Sequence, residues 1–209
     1  MKRIGITQRV EIIERYHERR DCLDQRWSDL CFALECLPCP LPNTVPENVP
    51  ALLDALNLDA VILSGGNSIA CLDPAAPHAA PERDAFEASL IDEALKRNIP
   101  VLGVCRGMQM INLHFGGELI PVEGHVGLRH TLSVVDGNYP LAETVNSYHD
   151  WGIAPQGLGP QLKPIAVDSD GNIEAFQHSE TKIFGIMWHP EREPSFSSLD
   201  MQLIKRFLL

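Results

Sequence analysis

The chain has 209 residues and a formal net charge of −11, with 17 Lys and Arg against 28 Asp and Glu. Its length suits a single domain over 1–209 with a proper core, and 44% apolar with 22% charged residues is the composition of a folded chain, not a disordered one. The acidic balance argues against a non-specific nucleic-acid binder or a protein held on an anionic membrane, both of which need an excess of Lys and Arg.

In chain order, 3–7 is a short β-rich run that begins on Arg3, directly after Lys2. The apolar stretch after these basic residues is too short for a signal peptide. The first 30 residues, with seven basic and six acidic side chains, carry +1, which leaves −12 on the rest. The arginines after the first strand (Arg9, Arg15, Arg19, Arg20 and Arg26) suit either a solvated helix of mixed charge or contacts to a phosphate. Residues 21–36 place Leu23, Trp27, Leu30, Cys31 and Leu34 at helical spacing. A second strand is predicted at 37–41, and Cys36, just before it, and Cys39 have CxxC spacing without the second pair that a zinc site needs. Six cysteines in all are too sparse for a disulfide scaffold, and no run approaches the ~20 apolar residues of a membrane span. A reduced, cytoplasmic protein is expected.

A helix at 50–57 leads to a continuous apolar run at 59–63, ended by Ser64-Gly65-Gly66, as in a buried parallel strand meeting its loop. A proline-rich loop over 67–81 precedes a helix at 82–97, a buried strand at 100–104 and a helix at 106–115, stopped by Gly116-Gly117. This alternation predicts an α/β fold with a mainly parallel sheet and helices on both faces. After about 118, short runs at 131–135, 162–167, 173–177 and 183–187 between Gly, Pro and Asp turns predict a smaller antiparallel elaboration with mixed pairing, closed by a helix at 199–208. Trp27 and Trp188 read as core.

Three stretches carry chemistry. Gly103-Val104-Cys105-Arg106-Gly107 has the Gly-x-nucleophile-x-Gly form of a nucleophile elbow, with Cys as the nucleophile. A helix N-terminus there would favour the thiolate, and the N–H of Arg106 would face a bound carbonyl. The same sequence also suits a buried Cys on a βα turn. Trp188-His189-Pro190-Glu191 sets a His and an acid two apart after an apolar strand, as a triad would need or as a structural turn would allow. Ser64-Gly65-Gly66-Asn67 frees backbone N–H groups at a strand end. His125 and His130 with Glu123 lack metal-ligand spacing, so neither metal nor cofactor is expected.

Together with VNSYH at 145–149, these motifs resemble the class I glutamine amidotransferase family over nearly the whole chain. The resemblance implies a flavodoxin-like three-layer sandwich, Cys105 as nucleophile, His189 as general base and acid, and Glu191 as its partner. It also implies an oxyanion hole of Gly66 and Arg106, with Gly65, Gln109, Asn146, Ser147, Tyr148 and His149 around the substrate. The chemistry it implies is hydrolysis of a small γ-glutamyl compound through a γ-glutamyl thioester. Pro81-Glu82-Arg83-Asp84-Ala85-Phe86-Glu87 and VNSYH are similar to the γ-glutamyl-γ-aminobutyrate hydrolase branch, whereas the N-terminal ITQRV and ERRDCLDQRW look closer to the γ-glutamyl-CDP-amidate hydrolases of capsule phosphoramidate synthesis. His149 is followed by Asp150-Trp151, where the γ-aminobutyrate branch tends to have His-Gln, which counts against that substrate. A nucleotide-linked leaving group would find Arg19 and Arg20 among its partners, in a loop at the carboxyl edge of the sheet. A glutaminase subunit feeding a separate synthetase stays open, as does a homodimer.

Overall fold

The computed structural model describes residues 1–209. The first half contains β1 (Lys2–Thr7), β2 (Arg9–Ile13), β3 (Glu18–Cys22), α1 (Arg26–Ala33), β4 (Cys36–Leu41), α2 (Val49–Leu56), β5 (Ala60–Leu63), α3 (Pro81–Arg97), β6 (Val101–Val104) and α4 (Arg106–His114). The second half adds β7 (Ile120–Pro121), β8 (Val126–Thr131), β9 (Ser133–Val134), β10 (Thr144–Tyr148), β11 (Trp151–Gly152), β12 (Leu162–Val167), β13 (Ile173–His178), β14 (Ile183–Ile186) and α5 (Ser198–Leu208).

One sheet of order β4-β1-β5-β6-β14-β13-β12-β9 runs through the molecule. Its first five members pair in parallel. Numbered among themselves they follow the 2-1-3-4-5 order of the expected flavodoxin-like arrangement. β5, β6 and β14 read AVIL, VLGV and IFGI and are buried throughout, because helices cover both of their faces. α1 and α5 pack Trp27, Leu30, Leu203 and Ile204 on one face; α2, α3 and α4 pack Leu53, Phe86, Leu90 and Met108 on the other. β13, β12 and β9 extend the sheet in antiparallel fashion, and β8–β10 and β7–β11 form two small antiparallel pairs beside it. No helix is long and apolar enough to cross a membrane.

Three local expectations change. The arginine-rich segment after β1 is a β2–β3 hairpin joined by a 3-10 turn at Glu14–Tyr16, and no α-helix. Arg-Val-Glu-Ile alternates with period two, Val10 is buried, and β2 pairs with β3 over all five of its residues. The helix predicted from 21 begins only at Arg26. The run at 131–135 divides at buried Leu132, its two ends joining different sheets. Cys36 and Cys39 lie on edge strand β4 at an odd separation, so their side chains enter the cores on opposite faces and cannot converge. Trp27 and Trp188 are core, as expected.

Candidate active site

Cys105 stands alone between the end of β6 and the start of α4 with φ 52° and ψ −107°, a left-handed φ that is strained for any residue with a Cβ. Its N–H donates to the Ile186 carbonyl at 2.8 Å and its carbonyl accepts from the Gln109 N–H at 3.0 Å, which holds the strained turn. The flanking glycines are required by close approach. A Cβ at Gly107 would lie 2.0 Å from the Leu63 carbonyl oxygen, and one at Gly103 would lie 2.6 Å from the Gly107 carbonyl group. The thiol is therefore presented at the N-terminus of α4, where the helix dipole favours its anion.

His189 follows β14 at the same edge of the sheet. Its Nδ1 is 2.6 Å from Glu191 Oε1, and both side chains are almost wholly buried. Asn146 fixes the His189 backbone from both sides: its Nδ2 donates to the His189 carbonyl at 2.8 Å and its Oδ1 accepts from the His189 N–H at 2.9 Å. Burial works against charge on this imidazole, but the Cys105 sulfur and the Glu191 carboxylate outweigh it and raise its pKa to about 9. Burial likewise pushes the Cys105 thiol up, yet the charge of His189 prevails and holds it below its ordinary value. Each group thus favours the charged form of the other. His189 Nε2 makes no aligned hydrogen bond, which leaves it free to serve a reacting group. The Tyr148 ring meets His189 edge-on at 5.8 Å, with the Arg192 guanidinium 4.7 Å above Tyr148.

The oxyanion-hole candidates are positioned by a buried ion network. Arg83 on α3 is fully buried and donates to the carbonyls of Ser64 (2.7 Å), Gly65 (3.2 Å) and Gly66 (2.7 Å) and to Asn67 Oδ1 (3.1 Å). With these oxygens turned toward α3, the Gly66 N–H makes no hydrogen bond within the protein. Arg106 is the first residue of α4, so its N–H lacks an intrahelical partner. Glu87, also fully buried, accepts from Arg83 at 2.8 Å and from Thr7 Oγ1 at 2.7 Å, and pairs with the Arg106 side chain, which also reaches Asp84. Burial acts to raise the Glu87 pKa, but the two guanidinium groups hold it below the usual carboxylate value.

A cleft of about 150 Å³ opens on Cys105 and is lined by Gly66, Arg106, Gln109, Tyr148, His149 and Trp151 among others. Gln109 Nε2 donates to the Trp151 carbonyl at 2.8 Å, which leaves its amide oxygen available. Ser147 is buried and its Oγ donates to the His125 carbonyl at 2.6 Å, so, as with Asn146, its side chain serves the frame of the site. Gly65 lies under the His189 ring, where a Cβ would come within 2.6 Å of Cε1. Arg19 and Arg20 are exposed, pair with Glu82 and Glu18, and line neither this cleft nor its neighbour. That neighbouring, narrower cleft meets the first at the Gly65–Gly66 turn and carries Arg9 and Arg192 instead. Arg26 donates to the carbonyls of Glu191 (3.1 Å) and Glu193 (2.5 Å), so it braces the catalytic turn.

Arg83, Glu87 and Arg192 were not assigned a role from sequence, whereas Arg9 was among the phosphate-contact candidates. Arg83 and Glu87 lie one helical turn apart on α3, and that i, i+4 spacing of opposite charges was the available signal. Arg192 directly follows the His-Pro-Glu motif. His125 and His130 lie in a cluster whose ligand atoms could hold a metal ion, with His149 and Glu174 and not with Glu123.

A model of the Peptidase C26 family matches residues 3–191. The chain is 35% identical over 207 residues to the γ-glutamyl-CDP-amidate hydrolase of Campylobacter jejuni, covering 98% of this chain and 96% of that one. It is 30% identical over 205 residues to the γ-glutamyl-γ-aminobutyrate hydrolase of Escherichia coli, covering 82% and 79%. Among solved structures, a glutamine amidotransferase from Thermotoga maritima superposes with a TM-score of 0.66 at 19% identity, covering 98% of this chain and 83% of that one, which shows the shared fold.

Proposed function

The chain belongs to the Peptidase C26 family, and on that premise we propose that it is a cysteine-dependent hydrolase of γ-glutamyl amides. The observation that carries this reading is Cys105 on its strained turn in a cleft bordered by the free N–H of Gly66, electrostatically coupled to the buried His189–Glu191 pair. The Cys105 thiolate attacks the γ-carbonyl carbon, and the oxyanion accepts hydrogen bonds from the N–H groups of Gly66 and Arg106. His189 gives its Nε2 proton to the leaving nitrogen as the C–N bond breaks, forming a γ-glutamyl thioester. Neutral His189 then takes a proton from water, whose oxygen attacks the thioester carbon and releases glutamate and the thiolate. Gln109 and the backbone at Tyr148 hold the amino-acid end of the γ-glutamyl group.

The leading substrate is a γ-glutamyl-CDP-amidate, as expected for capsule phosphoramidate synthesis. The relative with that activity spans nearly the full length of both chains, and the reading is supported by Arg9 and Arg192 in the cleft next to that of Cys105, where their guanidinium groups would suit a diphosphate leaving group. A γ-glutamyl amine is the second reading, favoured by the γ-aminobutyrate hydrolase relatives. The test measures glutamate release from γ-glutamyl-CDP-amidate, γ-glutamyl-γ-aminobutyrate and glutamine at equal concentrations. The nucleotide substrate is expected to be hydrolysed fastest. Preference for free glutamine would replace this reading with a glutaminase subunit.

A further inference from the structure

We propose that His125, His130, His149 and Glu174 form a binding site for one tetrahedral divalent transition-metal ion, with zinc the best match to the donor set. The site goes beyond the hydrolase reading and does not depend on it. The four side chains come from separate segments: His125 just before β8, His130 on β8, His149 just after β10 and Glu174 on β13. One ligand atom from each lies within 4.8 Å of all the others.

The geometry resembles an assembled coordination shell. Tetrahedral metal–ligand bonds of about 2.0–2.1 Å place neighbouring ligand atoms about 3.3 Å apart. His149 Nε2 and Glu174 Oε1 are 3.5 Å apart, and His130 Nε2 and Glu174 Oε2 are 3.2 Å apart. His149 and Glu174 are each 1% exposed and His125 7%. A hydrogen-bonded pairing of Glu174 with imidazoles does not complete the cluster: His125 Nδ1 is buried with no hydrogen-bond partner, and His149 Nε2 and Glu174 Oε1 face each other at 3.5 Å without an aligned hydrogen bond. Such atoms call for a ligand.

The surrounding groups orient the rings as metal-bound histidines require. His149 Nδ1 donates to the Trp151 carbonyl oxygen at 3.0 Å, which makes Nε2 the nitrogen that faces Glu174 and would bind a metal. His125 Nε2 is 3.7 Å from Asp168 Oδ2, and the Asp168 carboxylate is itself held by the N–H groups of Asp170 and Asn172 and by the Asn172 amide. Three imidazoles and one carboxylate suit zinc and its neighbours in the transition series, and four protein ligands make a closed, structural site. An ion there would tie the β8–β10 pair to the main sheet beside Tyr148 and the cleft.

The test titrates zinc chloride into chelator-treated Cys105→Ser protein by calorimetry, since that substitution removes the competing thiolate of the catalytic pair. Expected are one ion per chain, confirmed by elemental analysis, and an affinity that falls at least about tenfold when His125→Gln or Glu174→Gln is added. Zinc should also raise the unfolding temperature of the Cys105→Ser parent but not of the His125→Gln form, whose metal-free unfolding should match the parent. Failure of the Cys105→Ser protein to bind stoichiometric zinc would overturn the site. So would binding that survives both added substitutions unchanged.

Discussion

At the residue scale, Cys105 and His189 are coupled through charge, and that coupling sets a pH dependence. In the proposed mechanism His189, with a pKa raised to about 9, gives the proton to the leaving nitrogen. The wild-type rate should therefore fall as pH rises past about 9, and on the acid side as the thiolate is protonated. These limbs belong to the pair, not to either residue alone. Glu191 raises the His189 pKa, so Glu191→Gln lowers it and moves the alkaline limb of kcat/KM to lower pH; an unmoved limb would count against the partnership. The motifs around Cys105, His189 and Glu191 were legible in sequence because each needs a short local pattern: glycines at a close approach, and an acid two residues beyond a histidine. The aid Asn146 gives to His189 was not legible, since 43 residues separate them and only the fold brings them together.

At the scale of elements, α3 acts on the active site without contributing a reacting group. Arg83→Lys keeps the buried charge but cannot reach the carbonyls of Ser64, Gly65 and Gly66 together, so the Gly66 N–H should lose its aim. A kcat lower by about 10²-fold with KM changed little is expected, the size of a lost oxyanion donor; a change confined to KM would show that the turn serves binding. In α5, Asp200 is buried against Trp188, whose Nε1 donates to it at 3.1 Å. Burial raises its carboxyl to about 6. A raised acid pKa means that the folded state binds the extra proton, so stability from this group declines as pH rises from about 4 to about 6. Asp200→Asn retains an acceptor and avoids the buried charge, and should stabilise the protein by about 1–2 kcal/mol at pH 7.5 and progressively less toward pH 4. Thermal unfolding at the two pH values measures this. The parallel strands were legible as unbroken apolar runs. The β2–β3 hairpin was not, because only Val10 of its ten strand residues is buried and its alternation is mostly one of charge.

At the scale of the whole molecule, the uneven charge has a more local meaning than the sequence suggests. The N-terminal arginines are largely neutralised in place: Arg19 and Arg20 by glutamates, while Arg26 is engaged by carbonyls of the catalytic turn. Arg9, itself paired with Glu11, and Arg192, over the Tyr148 ring, are the arginines that line the cleft beside the Gly65–Gly66 turn. Replacing either by Ala should raise KM for γ-glutamyl-CDP-amidate about tenfold, while Arg19→Ala and Arg20→Ala leave it unchanged; the reverse pattern would move the leaving-group site to the hairpin. The central claim rests on Cys105 as the nucleophile toward a γ-glutamyl carbonyl. Its most direct test is the rate of glutamate release from γ-glutamyl-CDP-amidate by wild-type and Cys105→Ser protein side by side. A loss of at least about 10³-fold in the variant is predicted, and equal rates would contradict it.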